Sequence, residues 1–92
     1  MTEKNEINLF IALITSLAST CWMQLGKVPN PMTNKIEKEL ENAKFTIDLL
    51  RMLKDKTQGN LTADEERLLL SVIADLELNY ADEVKKEGSK SN

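Results

Sequence analysis

The amino-acid sequence predicts an all-α fold of three helices in one domain. Apolar residues recur at alternating spacings of three and four along most of the chain, which is helical periodicity, and no stretch alternates as a strand would. Two joints interrupt the pattern, one at Gly26 and one at Gly59. The sequence therefore divides into an N-terminal arm (residues 1–6), a helical domain (7–87) with helices at 7–25, 35–57 and 63–86, and a disordered tail (88–92).

The first predicted helix, residues 7–25, ends at a glycine followed by prolines. Gly26 can take a left-handed turn, and Pro29 and Pro31 cannot continue a helix. No charged residue occurs from position 7 to position 26, so the length also suits a membrane-crossing helix. Small and polar side chains occupy one side of it, however, and no basic cluster flanks it. We expect this helix to lie buried in an oligomer, with membrane association as the alternative.

The second predicted helix, residues 35–57, has capping residues at both ends. Asn34 is the expected N-cap, and Glu37 follows three residues later, as in a capping box. After the helix, Gly59 and Asn60 can both adopt a positive φ, which predicts a short turn and an antiparallel hairpin with the third helix. The predicted core stripe of this helix is Ile36, Leu40, Ala43, Ile47, Leu50 and Leu53.

The third predicted helix begins with the clearest local signal in the chain. Thr62 as N-cap and Glu65 at the third helical position form a capping box, which contributes roughly 1 kcal/mol. Asp64, Glu65 and Glu66 also place negative charge in the first turn, where the helix dipole favours it. The predicted core stripe is Leu69, Val72, Ile73, Leu76, Tyr80 and Val84.

Each predicted helix carries more apolar surface than two neighbours can cover. An ordinary surface helix has one apolar stripe a little over 100° wide, whereas the apolar arc of the first helix spans about 220° and the other two helices each have a second ridge. We interpret the surplus as a surface that another copy covers, rather than as scattered surface leucines. This predicted association surface comprises Phe10, Leu13, Leu17, Trp22, Phe45, Leu49, Met52, Leu70, Ala74 and Leu78.

The composition counts against catalysis and against nucleic-acid binding. The 92 residues include no histidine, the commonest metal ligand and general base, and the net charge is −3. One cysteine makes neither an internal disulfide nor a thiolate zinc site, which fits the cytoplasm. We predict no enzyme, no catalytic residue, no cofactor and no metal. The expected partners are a second copy and an unidentified protein.

Carboxylates leave one chemical alternative, an acid/base or metal cluster. Asp64, Glu65 and Glu66 are adjacent, but we interpret them as capping and dipole charges. Glutamates on the helices of di-metal bundles are paired with histidine, which is absent here. Cys21 lies within the apolar arc of the first helix and has no base partner, so we expect a buried, inert thiol.

A run at positions 56–62, Lys-Thr-Gln-Gly-Asn-Leu-Thr, is followed by Glu65 and Glu66. Together with Leu25-Gly26, the two prolines and the Ser-Leu-Ala-Ser run at 16–19, it resembles the bacterial proteins of domain-of-unknown-function family 1844, over roughly residues 8–81. Cys21-Trp22 departs from the small aliphatic residues expected there. The resemblance implies a small, mainly helical cytoplasmic protein and supplies no activity and no catalytic residue.

Overall fold

A computed structural model describes residues 8–91 of the chain, with side chains described from 8 to 88. Three helices make up its regular structure: α1 (Leu9–Gln24), α2 (Leu40–Lys56) and α3 (Ala63–Ser91). Each helix packs against the other two. No strand occurs in this described part, so the predicted all-α fold is confirmed. The predicted N-terminal arm, residues 1–6, lies outside the described residues.

The core forms where the three helices meet. Cys21 on α1, Leu50 on α2 and Leu76 on α3 are all fully buried there. The buried cluster is Ile14, Ala18, Cys21, Leu25, Ala43, Ile47, Leu50, Leu69, Ile73 and Leu76. Their spacings of three and four within each helix are what place them on one side. The predicted stripes of α2 and α3 therefore face the core, except at the ends of both helices.

Helix α1 begins and ends with capping geometry. Asn8 is the N-cap, and its side chain accepts a hydrogen bond from the Ile11 N–H at 3.1 Å. At the other end, Gly26 has a φ of 80°, as predicted. The N–H of Gly26 donates to the Met23 carbonyl, and that of Lys27 donates to the Trp22 carbonyl, both at 3.0 Å. This is the Schellman arrangement, which satisfies carbonyls that the helix end would otherwise leave unpaired.

Helix α2 begins at Leu40, five residues later than predicted, and its N-cap is Glu39. Asn34 is not an N-cap, because its φ of 61° is left-handed whereas an N-cap has an extended backbone. The Glu37 carboxylate accepts from Asn30 Nδ2 and Thr33 Oγ1, both at 3.1 Å, instead of capping a helix. Such local side-chain hydrogen bonds compete with helix formation. One consequence is that Ile36, predicted in the core stripe, is exposed.

The segment between α1 and α2, residues 25–39, is the connector. An isolated antiparallel bridge joins Asn30 to Lys35, with the Asn30 N–H donating to the Lys35 carbonyl at 2.8 Å. At the end of the connector, the Glu39 N–H donates to the Gln24 carbonyl at 2.7 Å. The connector therefore closes on itself and returns the chain to the end of α1.

The hairpin between α2 and α3 has the predicted caps with one exception. Gly59 has a φ of 84°, but Asn60 does not have a positive φ. The Glu65 N–H donates to Thr62 Oγ1 at 3.1 Å, and the Thr62 N–H donates to Glu65 Oε1 at 2.9 Å. The capping box is therefore formed, and its backbone hydrogen bond lowers the pKa of Glu65.

Helix α3 continues past the predicted end at 86. The backbone of residues 88–91 is helical where we expected a disordered tail, and Asn92 lies outside the described residues. Neither a proline nor a left-handed residue stops the helix there, and Gly88 within a helix costs only about 1 kcal/mol.

The capping box predicts the effect of one substitution. Thr62→Ala removes the acceptor for the Glu65 N–H, so we expect the free energy of unfolding to fall by about 1 kcal/mol. Urea unfolding followed by circular dichroism measures this. Ser71→Ala, at an exposed position within α3, is the control and should change little. Equal effects of the two substitutions would show that the capping box makes no specific contribution to the free energy of unfolding.

Candidate association surface

The ten residues of the predicted association surface divide between the edge of the core and the solvent. Phe10, Leu17 and Trp22 are partly buried and pack against the core cluster, because α1 contacts both other helices. Leu49 is half-buried. Exposed members are Leu13, Phe45, Met52, Leu70, Ala74 and Leu78. The monomer thus uses part of the apolar arc of α1 internally and leaves the ridges of α2 and α3 largely uncovered.

Two contacts fix how α1 lies against α2. Thr46 Oγ1 donates to Gln24 Oε1 at 2.7 Å, and Cys21 Sγ lies 3.6 Å from the Ala43 carbonyl oxygen. The last turn of α1 therefore lies against the first two turns of α2. Leu13 lies on the same side of α1 as Gln24, because eleven residues make slightly more than three helical turns.

The ridge on α2, which we call the α2 ridge, consists of Phe45, Leu49 and Met52. Phe45 precedes the buried Thr46 in the sequence and is 65% exposed, whereas Leu49 is half-buried. The ridge therefore lies on the side of α2 that faces away from the core. On α1, Leu9 and Leu13 are also exposed, Leu9 at 78%. These five side chains carry no charge.

The ridge on α3, which we call the α3 ridge, consists of Leu70, Ala74 and Leu78. The charged edge of α2 separates it from the α2 ridge. On that edge Arg51 binds Asp48 at 3.3 Å and, through Nε, Glu77 of α3 at 2.6 Å. Because this ion-paired edge lies between them, the two ridges form two separate surfaces rather than one.

A cavity of about 330 Å³ lies at the α2–α3 hairpin. Apolar groups, among them Leu61 and Leu69, and polar groups of the hairpin contribute to its lining, and Leu70 joins it to the α3 ridge. Every buried side-chain nitrogen and oxygen of the described residues has a hydrogen-bond partner, so no orphaned polar group of this part of the chain points to a ligand there.

The Glu83 side chain is the one carboxylate within the described helices that is buried, at 4% exposure. Lys27 Nζ lies 2.6 Å from Glu83 Oε2 and Lys38 Nζ lies 2.7 Å from Glu83 Oε1. These two lysines come from opposite ends of the connector, so one carboxylate of α3 holds both ends. Lys86 adds a third contact at 3.3 Å. Hydrogen bonds from Lys27 and Lys38 lower the pKa of Glu83 to about 2.

Sequence reasoning placed Val84 in the core, but Val84 is exposed and Glu83 is buried instead. A carboxylate is buried only when it is paired, and the partners here lie 45 and 56 positions away in the sequence. Periodicity within α3 could not reveal them. The sequence held one hint of such a pairing, the number of lysines in the connector and next to it.

The cysteine and the acidic residues of the first turn of α3 were the other candidates for chemistry or metal binding. Cys21 is buried and free, and burial raises the pKa of its thiol to about 11. In the described part of the chain, histidine, cysteine and carboxylate groups form no set of three that could hold a metal ion. Asp64 pairs with Arg67 at 2.9 Å, and Glu65 closes the capping box. No helix between residues 8 and 91 combines the length and apolar character needed to cross a membrane.

Comparison with known proteins gives one match. A family model described as Domain of unknown function (DUF1844) matches residues 6–82, which include α1, α2 and most of α3. No curated protein and no solved structure matches the chain.

The lowered pKa of Glu83 predicts how stability depends on pH. Because the folded-state pKa of about 2 lies below the ordinary value of 4.5, ionised Glu83 stabilises the fold above about pH 4.5, and this stabilisation is lost as the pH falls towards 2. Glu83→Gln should therefore lower the free energy of unfolding at pH 7 by roughly 1–3 kcal/mol and should flatten its decline between pH 5 and pH 2.

Urea unfolding at several pH values measures both effects. Asp75→Asn, at an exposed position of α3, is the matched control. The same pH profile in both variants would contradict the role assigned to Glu83.

Proposed function

We propose that this chain, which belongs to the DUF1844 family, is a non-enzymatic helical module that associates with its own copies in the cytoplasm. The observation that carries the proposal is the pair of exposed apolar ridges on α2 and α3. A core this small leaves both ridges in water, where large apolar side chains are costly. Covering them with another chain recovers that free energy.

The size of the exposed surface supports association. At about 200 Å² for a large apolar side chain, Leu9, Leu13, Phe45 and Met52 leave roughly 450 Å² of apolar area exposed. A typical stable interface buries about 800 Å² from each partner. A partner that covered all four side chains would therefore bury more than half of that area, and half-buried residues such as Leu49 would add to it.

The placement of the reactive groups supports a role without catalysis. The carboxylates Asp64 and Glu65 pair with neighbours in the first turn of α3, and Glu83 is held by lysines. Cys21 is buried, and its raised pKa keeps the thiol protonated at neutral pH. A buried, reduced thiol also fits the cytoplasm.

Light scattering coupled to size-exclusion chromatography tests the proposal. We expect a mass of at least twice the 10.4 kDa of the single chain at micromolar concentration and above, falling on dilution. A single species of 10.4 kDa at all concentrations would overturn it. Recovery of the native protein in the membrane fraction, rather than in the soluble fraction without detergent, would favour the membrane alternative instead.

A further inference from the structure

We infer that the partner of the α2 ridge is the α2 ridge of a second copy, packed antiparallel about a two-fold axis near Leu49. This inference rests on the proposed self-association and specifies its geometry. A two-fold interface brings the same patch of both subunits together, so that residue i meets residue j and residue j meets residue i. The α2 ridge has the residue order that such an interface requires.

The two ends of the α2 ridge are symmetric about its centre. Phe45 and Met52 lie at equal distances on either side of position 48.5, which falls between Asp48 and Leu49, so that each Leu49 would lie beside the Asp48 of the second copy. Extending the ridge by one turn in each direction adds Glu41 and Lys56, which have the same midpoint. When two copies of α2 pack antiparallel about this midpoint, each Phe45 meets the partner's Met52, and each Glu41 meets the partner's Lys56.

The charges at the ends of the ridge select the antiparallel arrangement. Glu41 and Lys56 are exposed, and neither makes an ion pair with another described residue. Antiparallel packing pairs the opposite charges twice, once at each end of the interface. Parallel packing would place Glu41 beside Glu41 and Lys56 beside Lys56, which is repulsive. Antiparallel packing also brings the N-terminus of one α2 near the C-terminus of the other, where their helix dipoles attract.

The α3 ridge lacks this self-complementarity. One turn beyond each of its ends, at the same four-residue spacing, lie Glu66 and Asp82, which are both acidic. Two copies of the α3 ridge would therefore bring like charges together in either orientation. Of the two ridges, only the α2 ridge combines exposed apolar residues with charges that match a second copy.

Charge reversal tests the antiparallel geometry without disturbing the apolar residues. Glu41→Lys and Lys56→Glu should each weaken dimerisation about 3- to 10-fold, because each creates two like-charge pairs. The double variant Glu41→Lys with Lys56→Glu should recover dimerisation to within about 2-fold of the parent chain. Dissociation constants come from sedimentation equilibrium at low salt. If the dissociation constant of the double variant rises by the product of the two factors measured for the single variants, the antiparallel pairing is wrong.

Paired glutamates test which ridge is the interface. Phe45→Glu with Met52→Glu should give a monomer at concentrations where the parent is dimeric. Leu70→Glu with Leu78→Glu adds the same charge to the α3 ridge and should leave the dimer intact. The opposite pattern would show that the interface lies on α3. That result would overturn this inference but would leave the proposed self-association standing. A parent chain that is monomeric at every concentration would instead overturn the proposed function.

Circular dichroism separates loss of association from loss of folding. The Phe45 and Met52 side chains point away from the core, so we expect the helical signal of their variant to match that of the parent. If that variant unfolds, the charge-reversal series decides the question, since Glu41 and Lys56 are exposed at the two ends of α2. Circular dichroism of each charge-reversal variant checks that α2 still forms, because both charges lie where the helix dipole favours them.

Discussion

The Glu83 carboxylate holds the connector on the bundle, and the arrangement of α1 against α2 depends on it. Lys27 follows the glycine that ends α1, and Lys38 comes just before the cap of α2, so both helix ends are anchored at one point of α3. A buried carboxylate without a partner destabilises the fold, whereas ammonium groups beside both of its oxygens offset the cost of burying its charge. The proposed association at α2 in turn depends on this arrangement, because the packing of α2 against α1 and α3 determines that its ridge faces outward.

A bundle of three helices explains why an apolar ridge remains. Each helix contacts two neighbours, so the side opposite the core has no partner within the chain. In α2 that side carries Phe45 and Met52, while the ion-paired Arg51 lies on the side towards α3. The distribution is therefore asymmetric: charged residues occupy the edge near α3, and α1 carries no charge. This asymmetry supports the proposed association surface over an interpretation as scattered surface residues.

Local signals in the sequence predicted what local physics determines. The capping box at Thr62 and the turn at Gly26 were predictable because their hydrogen bonds join residues within one helical turn. Burial of Glu83 was not predictable, since it depends on lysines of another segment. Asn34 shows a third case, in which two local arrangements competed and the side-chain hydrogen bonds of Glu37 favoured a turn over a helix. The ridges followed from periodicity, whereas their division into two surfaces depended on the contact of Arg51 with Glu77, a residue of another helix.

The separation of Glu83 from its lysines also matters during synthesis on the ribosome. Lys38 is translated 45 residues before Glu83, so a nascent chain that has emerged only as far as α2 cannot yet fix its connector. At that stage α1 and α2 have each other as neighbours but not α3, which packs against both of them in the complete bundle. Apolar side chains that α3 later covers are therefore in water until the last third of the chain has been made.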